Sequence, residues 1–593
     1  MGITAESPDS LEGLQTASQD SAAAVTEKQV AAADLEKDQE SQYGGGGAAG
    51  PAAAGAPDDV PTDYPTGWRL NVIILGLILA FFLSALDMSI IRTAAPSITT
   101  EFHSVADVGW YGSSFAITLA AFQSHWGKAY LYFPLKWSFL SSIFVFEVGS
   151  LVCGVAPSSA ALIVGRAVQG AGAAGITGGC YTIASFIVPP ARVPAITGLL
   201  GSVFTLASVA GPLLGGVFTS SVSWRWCFYI NLPIGGVAFA ALVFFFHTPE
   251  QSKTMVGKLS WRQMLEQFDP IGTTLLISSL VCFVLAMQWG GISKAWGSAD
   301  VVGVLVGWFV MSVAFAVNEW FQGDKAFIVY RLLRNRDIAV CCGFIFFMMC
   351  GNQALYYNLP VYFQAIGGDS AMASGLKFIP TILCTSTVTF LTVVLIGKYN
   401  LYQPFLIAGA VLQTLRVGLY YLFDLDTGLG PIIGYQIIYG IGSGLGIQTA
   451  IAVGQTVSTV EDISMTLATI IFFQFGTGAY GVSSTNSVLD NILVQKLDVY
   501  VPQLTHAEVF TAGATGIQDQ YSGATLLGIR MAFLEGVRAS MVLACAFLGV
   551  SIFWSLAPKW PGRMERLASR RKGPGGQEGE SSEMSTSDEK VNL

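Results

Sequence analysis

Among the ionisable side chains inside otherwise apolar stretches of this chain are Asp87, Glu147, Arg166 and Arg416. A carboxyl group so placed can take up and release a proton, because burial favours the neutral acid while a nearby cation favours the carboxylate. A guanidinium surrounded by hydrocarbon is costly unless paired or hydrated, so it marks a functional position by default. Arg416 could meet an anionic ligand or a backbone carbonyl, and Glu147 could bond within its own bundle. His125 can titrate near neutral pH, but beside Trp126 at the end of a stretch it is expected at an interface. The second half of the chain offers polar and aromatic side chains with little charge: Asn352, Gln353, Tyr356, Tyr357 and Gln364, then Gln436, Gln448 and Gln455. An apolar pocket with a few placed polar groups suits a hydrophobic ligand. Asn352, Gln353, Tyr356, Tyr357, Gln364 and Gln448 are the expected substrate contacts, with helix-to-helix hydrogen bonds as the competing role.

The elements that must hold these groups are membrane helices. Of 593 residues, 52% are hydrophobic and only 12% charged, against about 25% charged in a soluble domain. Apolar stretches near the roughly 20 residues needed to span hydrocarbon recur. They lie near 70–95, 108–126, 136–155, 160–183, 195–219, 228–247, 270–289, 301–321, 338–362, 371–396, 402–423, 431–457, 463–487 and 534–557, and predict an all-α polytopic membrane protein of fourteen spans. Residues 1–66 lack any sustained apolar run and read as a disordered tail. Residues 558–593 form a second tail, basic and then acidic. With both tails cytoplasmic, the inner connections carry Lys128, Lys136, Arg192, Lys253, Lys258, Arg262, Lys325, Arg331, Arg334, Arg336 and Lys398. The outer ones carry chiefly Arg225, Lys294, Lys496 and Arg530, the asymmetry expected of cytoplasmic loops. A long outer loop is expected at about 488–530.

Gly127-Lys128 recurs as Gly397-Lys398, and Gly170 and Gly172 recur as Gly440 and Gly442, each at an offset of 270 residues. One offset at two separate places suggests duplication. Spans 1–6 (67–247) and 9–14 (326–557) then form two six-helix halves, with two added spans in a linker at 248–325. Parallel halves meeting at a substrate site are a known transporter plan.

Several stretches resemble signature motifs of the major facilitator superfamily, fourteen-helix drug:proton antiporter branch, over roughly residues 68–560. Leu86-Asp87-Met88-Ser89-Ile90-Ile91-Arg92-Thr93-Ala94-Ala95-Pro96 is similar to its LDxTIVNxALP motif, with Ser89 and Arg92 departing from it. Gly127-Lys128-Ala129-Tyr130 with Lys136-Trp137 resembles a fungal variant of the inner-loop motif that gates the cytoplasmic face. Arg166-Ala167-Val168-Gln169-Gly170-Ala171-Gly172 resembles RxxQGxG. Gly211-Pro212-Leu213-Leu214-Gly215-Gly216 resembles the antiporter motif GPxxGG, in which Pro bends the helix and glycines allow close contact. The run Trp224 to Gly235 resembles WRWxFxINxPxG and reads as structural.

The resemblance implies a major facilitator fold, 6+2+6, and proton-coupled export of small, largely hydrophobic organic compounds, such as secondary metabolites, toxins or drugs, by alternating access in a fungal membrane. The plasma membrane is expected, the vacuolar membrane being the alternative. Such coupling needs an ionisable group reachable from both sides, and Asp87 with Arg166 is expected to supply it. Gly127, Lys128, Gly211, Pro212, Gly215 and Gly216 are the expected gating and rocking positions. Relatives that move siderophores or basic amino acids are the nearest alternatives, and a non-transporting sensor on the same fold is another. The partners expected are a small-molecule substrate, protons and the lipid bilayer, with no nucleic acid, and the chain is expected to be monomeric. No phosphate-binding GxxxxGK[ST] loop, nucleophile elbow or HExxH motif occurs, so no enzyme, cofactor or metal is expected. The nine cysteines, without CxxC spacing, read as small buried apolar residues.

Overall fold

The computed structural model describes residues 64–102, 107–189, 192–249, 252, 260, 267–399 and 401–558. The expected tails, apart from 64–66 and 558, lie outside the described residues, as do Lys253, Lys258, Arg262 and the side chain of Arg92.

Among the described residues, fourteen principal helices follow one another: α1 (Gly67–Phe102), α2 (Val108–Tyr132), α3 (Leu135–Gly154), α4 (Ser159–Ile187), α5 (Val193–Ser221), α6 (Trp226–Phe245), α7 (Pro270–Trp289), α8 (Ala299–Lys325), α9 (Arg336–Ile366), α10 (Ala373–Tyr399), α11 (Gln403–Tyr420), α12 (Leu429–Val457), α13 (Ile463–Tyr500) and α14 (Gly523–Leu556). Twelve of them are long and apolar enough to cross a membrane; α2 and α11 fall short of that measure. The reason is visible in their composition. Ser114, Gln123, Ser124, His125 and Lys128 dilute α2, and α11, of 18 residues, includes Gln403, Gln413 and Arg416.

Residues 488–530 differ from the expected loop. Helix α13 continues to Tyr500, His506–Gln520 forms a further helix, and α14 begins at Gly523. Leu489, Leu493 and Leu497 recur every four residues and are buried. That stripe is amphipathic, so it holds a helix without forming an apolar run.

The packing is repeated. Among α1–α6, here called the first half by chain order, α3 and α2 both pack on α4, and α1 packs on α5 and α6; among α9–α14, the second half by chain order, α11 and α10 both pack on α12, and α9 packs on α13 and α14. Across the halves, α5 meets α10 and α2 meets α13. Helices α7 and α8 pair with each other, and α8 buries only Val301 while Phe309, Trp320 and Phe321 are exposed. A helix apolar all round yet uncovered by protein needs hydrocarbon as its solvent. Helix α4 is buried along most of its length. A Cβ at Gly170 would overlap the Phe115 carbonyl of α2, and one at Gly172 would overlap the backbone of Phe146 on α3, so these glycines set the close approach of three helices.

Candidate functional site

Asp87 and Arg166 meet in the core of the first half, 0% and 1% exposed. Arg166 donates through Nη1 to Asp87 Oδ2. The same nitrogen donates to Gln169 Oε1 at 2.7 Å, and Gln169 Nε2 donates to Asp87 Oδ1 at 2.7 Å. Gln169 thus bridges both members of the pair. Its placement follows from helical spacing, since residues three apart share a face. Arg166 Nε donates to the Tyr111 carbonyl at 2.9 Å, and its guanidinium lies 4.4 Å from the centroid of the Phe115 ring. Asn231 Nδ2 approaches Asp87 Oδ1 at 3.4 Å and donates to Ser150 Oγ at 3.1 Å, a hydroxyl that also accepts from Gln169 Nε2 at 2.8 Å. Four helices, α1, α3, α4 and α6, converge on one carboxylate. An enclosed ion pair is tolerable only when its remaining donors and acceptors are satisfied in this way.

Sequence reasoning placed Asp87 and Arg166 together and missed Gln169, Ser150 and Asn231. The signal was available for two of them: Gln169 is part of the RxxQGxG stretch, and Asn231 is a polar residue in the run read as structural. Glu147, by contrast, makes no hydrogen bond through either carboxyl oxygen among the described residues. A Cβ at Gly235 of α6 would overlap its Oε1, so that glycine makes room for the carboxyl group. His125 lies at the α2–α7 contact, with Nε2 3.1 Å from Thr273 Oγ1 and its ring stacked on Phe268.

From two residues beyond the carboxylate, α1 lies hard against α5. Ser89 Oγ donates to the Leu86 carbonyl at 2.9 Å and lies 3.2 Å from the Ala207 carbonyl. A Cβ at Gly211 would overlap the Ser89 hydroxyl, and one at Gly215 the Thr93 hydroxyl, whereas Gly216 faces open space. Pro212 lies inside α5, where it withholds a backbone donor.

Gly127 also marks a close approach, a Cβ there overlapping Ala468 of α13. Lys128 is 3% exposed, and its Nζ donates to the carbonyls of Gln267 at 2.6 Å and Lys325 at 2.7 Å. Lys325 closes α8, an end where carbonyls attract a cation. Lys128 therefore ties α2 to the segment leading into α7 and to the end of α8. At the same end of the bundle, where α1 begins, Gln455 of α12 accepts from Thr197 Oγ1 at 2.7 Å and donates to the Tyr181 carbonyl at 3.1 Å. Gln448 Nε2 donates to the Tyr181 hydroxyl at 3.2 Å and packs where a Cβ at Gly201 would clash. The structure thus puts Gln448 in a contact between the halves.

The other expected substrate contacts sit on α9. Asn352 is fully buried, and Gln353, Tyr356 and Tyr357 are partly buried. Tyr356 packs edge-on against Tyr439, 6.0 Å between ring centroids. Gln364 lies in the wider turn Tyr362–Ile366 that ends the helix.

Residues 77–482 match the model of the Major Facilitator Superfamily. The chain is 40% identical over 510 residues to an MFS-type transporter of Pestalotiopsis microspora, covering 86% of this chain and 93% of that one. It is 39% identical over 498 residues to the MFS-type efflux pump MFS1 of Arthroderma benhamiae (84% and 92%), and 38% identical over 528 residues to the efflux pump notK of an Aspergillus species (88% and 93%). The solved proton:xylose symporter XylE, bound to 6-bromo-6-deoxy-D-glucose, has a TM-score of 0.54 over 85% of this chain and 99% of its own at 14% identity, a likeness of fold. The chain belongs to the Major Facilitator Superfamily, and its relatives are fungal transporters and efflux pumps.

Proposed function

We propose that this chain is a proton-coupled secondary transporter that exports small, largely hydrophobic organic compounds by alternating access. The observation that carries the reading is the enclosed Asp87, Arg166 and Gln169 cluster. A proton arriving at Asp87 Oδ2 neutralises the carboxylate and breaks its ion pair with Arg166. The freed guanidinium keeps Gln169 Oε1, the Tyr111 carbonyl and the Phe115 ring as partners, so it need not leave its helix. Asp87 and Ser89 share α1, and Ser89 touches α5, which meets α10 of the other half. Proton occupancy at one carboxylate therefore biases the contact through which the halves move.

All fourteen principal helices cross the membrane in this reading, α1–α6 and α9–α14 as the two halves and α7–α8 as a pair added at the side. Both termini are cytoplasmic and the plasma membrane is the site of action. The contacts of Tyr181, Thr197, Gly127 and Lys128 then close the cytoplasmic side, and cargo lies between the halves beside Gln353, Tyr356 and Tyr357. The names of the relatives, efflux pumps among them, support the direction. The test is flux in liposomes containing the purified protein and anilinonaphthalene sulfonate, an apolar ring system with one fixed negative charge, as probe. Counterflow of the probe driven by a proton gradient, and lost when nigericin collapses that gradient, is the expected result; counterflow indifferent to the gradient would remove the coupling.

A further inference from the structure

We propose that Arg416, with Gln413 and Asn352 beside it, forms a binding site in the second half for one compact anionic group, the carboxylate of an otherwise apolar cargo. The proposal rests on the exporter reading above and narrows it to compounds that carry a single negative charge.

Arg416 lies on α11 and is 0% exposed. A guanidinium has five N–H donors, yet none of its three nitrogens makes a hydrogen bond among the described residues. It is held between two rings, 4.2 Å from the centroid of Tyr439 and 4.8 Å from that of Tyr420. Ring faces attract a cation, but they do not neutralise it. No carboxylate pairs with Arg416 among the described residues, in contrast to Arg166.

The neighbouring amides are in the same condition. Gln413 is one turn earlier on α11, packed against Gly442 of α12, and neither of its amide atoms has a partner. On α9, Met348 meets Gly446 and Tyr356 meets Tyr439. Asn352, midway between them, therefore comes level with Gly442 and Ser443. Both amide atoms of Asn352 and the hydroxyl of Ser443 also lack partners. A single buried polar atom without a partner is already unusual and costly; several gathered around one cation mark a place whose missing partner comes from elsewhere.

The 270-residue offset sharpens the point. It sets Tyr357 against Asp87, Gln436 against Arg166, Tyr439 against Gln169, and Arg416 against Phe146, the neighbour of Glu147. The second-half cluster thus occupies the place of the first-half ion pair, with tyrosine where the first half has its acid. The first half carries its own counter-charge there. The second half leaves Arg416 to a ligand, which reaches it past the partly exposed Tyr356.

The experiment uses the full-length protein in lipid nanodiscs with dansyl-labelled undecanoic acid and its methyl ester as probes, read by dansyl emission. The acid is expected to bind about tenfold more tightly than the ester, the size of one charge-assisted contact. Arg416→Gln should bring the two to parity, and Arg416→Lys should keep part of the preference. Gln413→Leu and Asn352→Leu retain the charge and should each lower the preference severalfold, so the proposal stays testable if Arg416→Gln does not fold. Equal binding of acid and ester by wild type, with no effect of acetate or chloride, would overturn it. Stabilisation by acetate or chloride that depends on Arg416, without acid preference, would assign the site to a free anion and overturn the cargo assignment. Binding is read without a proton gradient, so its outcome and that of the flux assay are independent.

Discussion

Gln169 joins Asp87 to Arg166 by donating to the carboxylate with its amide nitrogen and accepting from the guanidinium with its amide oxygen, both at 2.7 Å. The ion pair is thereby fixed in geometry as well as in charge. Gln169→Leu keeps the volume and removes both bonds, leaving a buried acceptor short of its donor. Stability should fall by about 1–3 kcal/mol, read as a lower melting temperature, and proton-driven flux should fall with it. Wild-type melting in this variant would show that the amide does not support the pair.

The two glycines of α5 that face α1 differ from the third, which faces open space. Gly211→Val and Gly215→Val would drive a side chain into the Ser89 and Thr93 hydroxyls, and overpacking of this kind costs about 1–3 kcal/mol. Both variants should lose flux and melt early, while Gly216→Ala should melt and transport as wild type does. Equal tolerance at all three positions would show that the close α1–α5 contact is not required.

Gln455 ties the halves together where α1 begins, through Thr197, the Tyr181 carbonyl and Ser185 Oγ at 3.1 Å. Gln455→Leu should shift the population toward the state open at that end. Pulsed electron resonance between spin labels at positions 192 and 459, with the native cysteines replaced, should show a longer distance population in the variant. An unchanged distribution would mean that this amide does not hold the closed state.

At the opposite end, Glu101 accepts from Trp224 Nε1 at 2.7 Å and pairs with Arg225 at 2.8 Å. The indole hydrogen bond first, and the guanidinium with it, hold the Glu101 carboxyl below its ordinary value of 4.5. A group lowered by folding contributes stability that is present above the unfolded value and lost as pH falls through the folded one. The difference in melting temperature between wild type and Glu101→Gln should therefore be constant from neutral pH down to about 4.5 and shrink below it. Both side chains are partly exposed, so salt should reduce the difference. A difference that grew on acidification would contradict this assignment.

Helix positions were legible in the sequence wherever apolar length alone decides, because hydrocarbon leaves a spanning segment little choice but to form a helix. The stretch after 487 was not, since Leu489, Leu493 and Leu497 form a stripe among polar residues. The meeting of Asp87 with Arg166 could be read from the cost of burying either one alone. The roles of Ser150 and Asn231 could not, because a serine or asparagine within a membrane helix also fits an ordinary helix-to-helix bond, and only the folded chain shows which partner it takes. Gln448 illustrates the same ambiguity: expected beside cargo, it lies against Tyr181 at a contact between the halves. Arg416 read equally as a ligand contact or a carbonyl anchor, and only the packing shows that no carbonyl of the described residues reaches it.

In the proposed mechanism the Asp87 carboxyl carries the coupled proton. Asp87→Asn preserves the side-chain shape but cannot exchange a proton, while Asp87→Glu keeps a carboxyl group. The direct measurement is drug resistance of cells that express each variant in place of wild type at equal surface levels, paired with gradient-driven flux in liposomes. Loss of resistance and of coupled flux in Asp87→Asn, with partial retention in Asp87→Glu, is the predicted result. Wild-type resistance and gradient-driven flux in folded Asp87→Asn would contradict it.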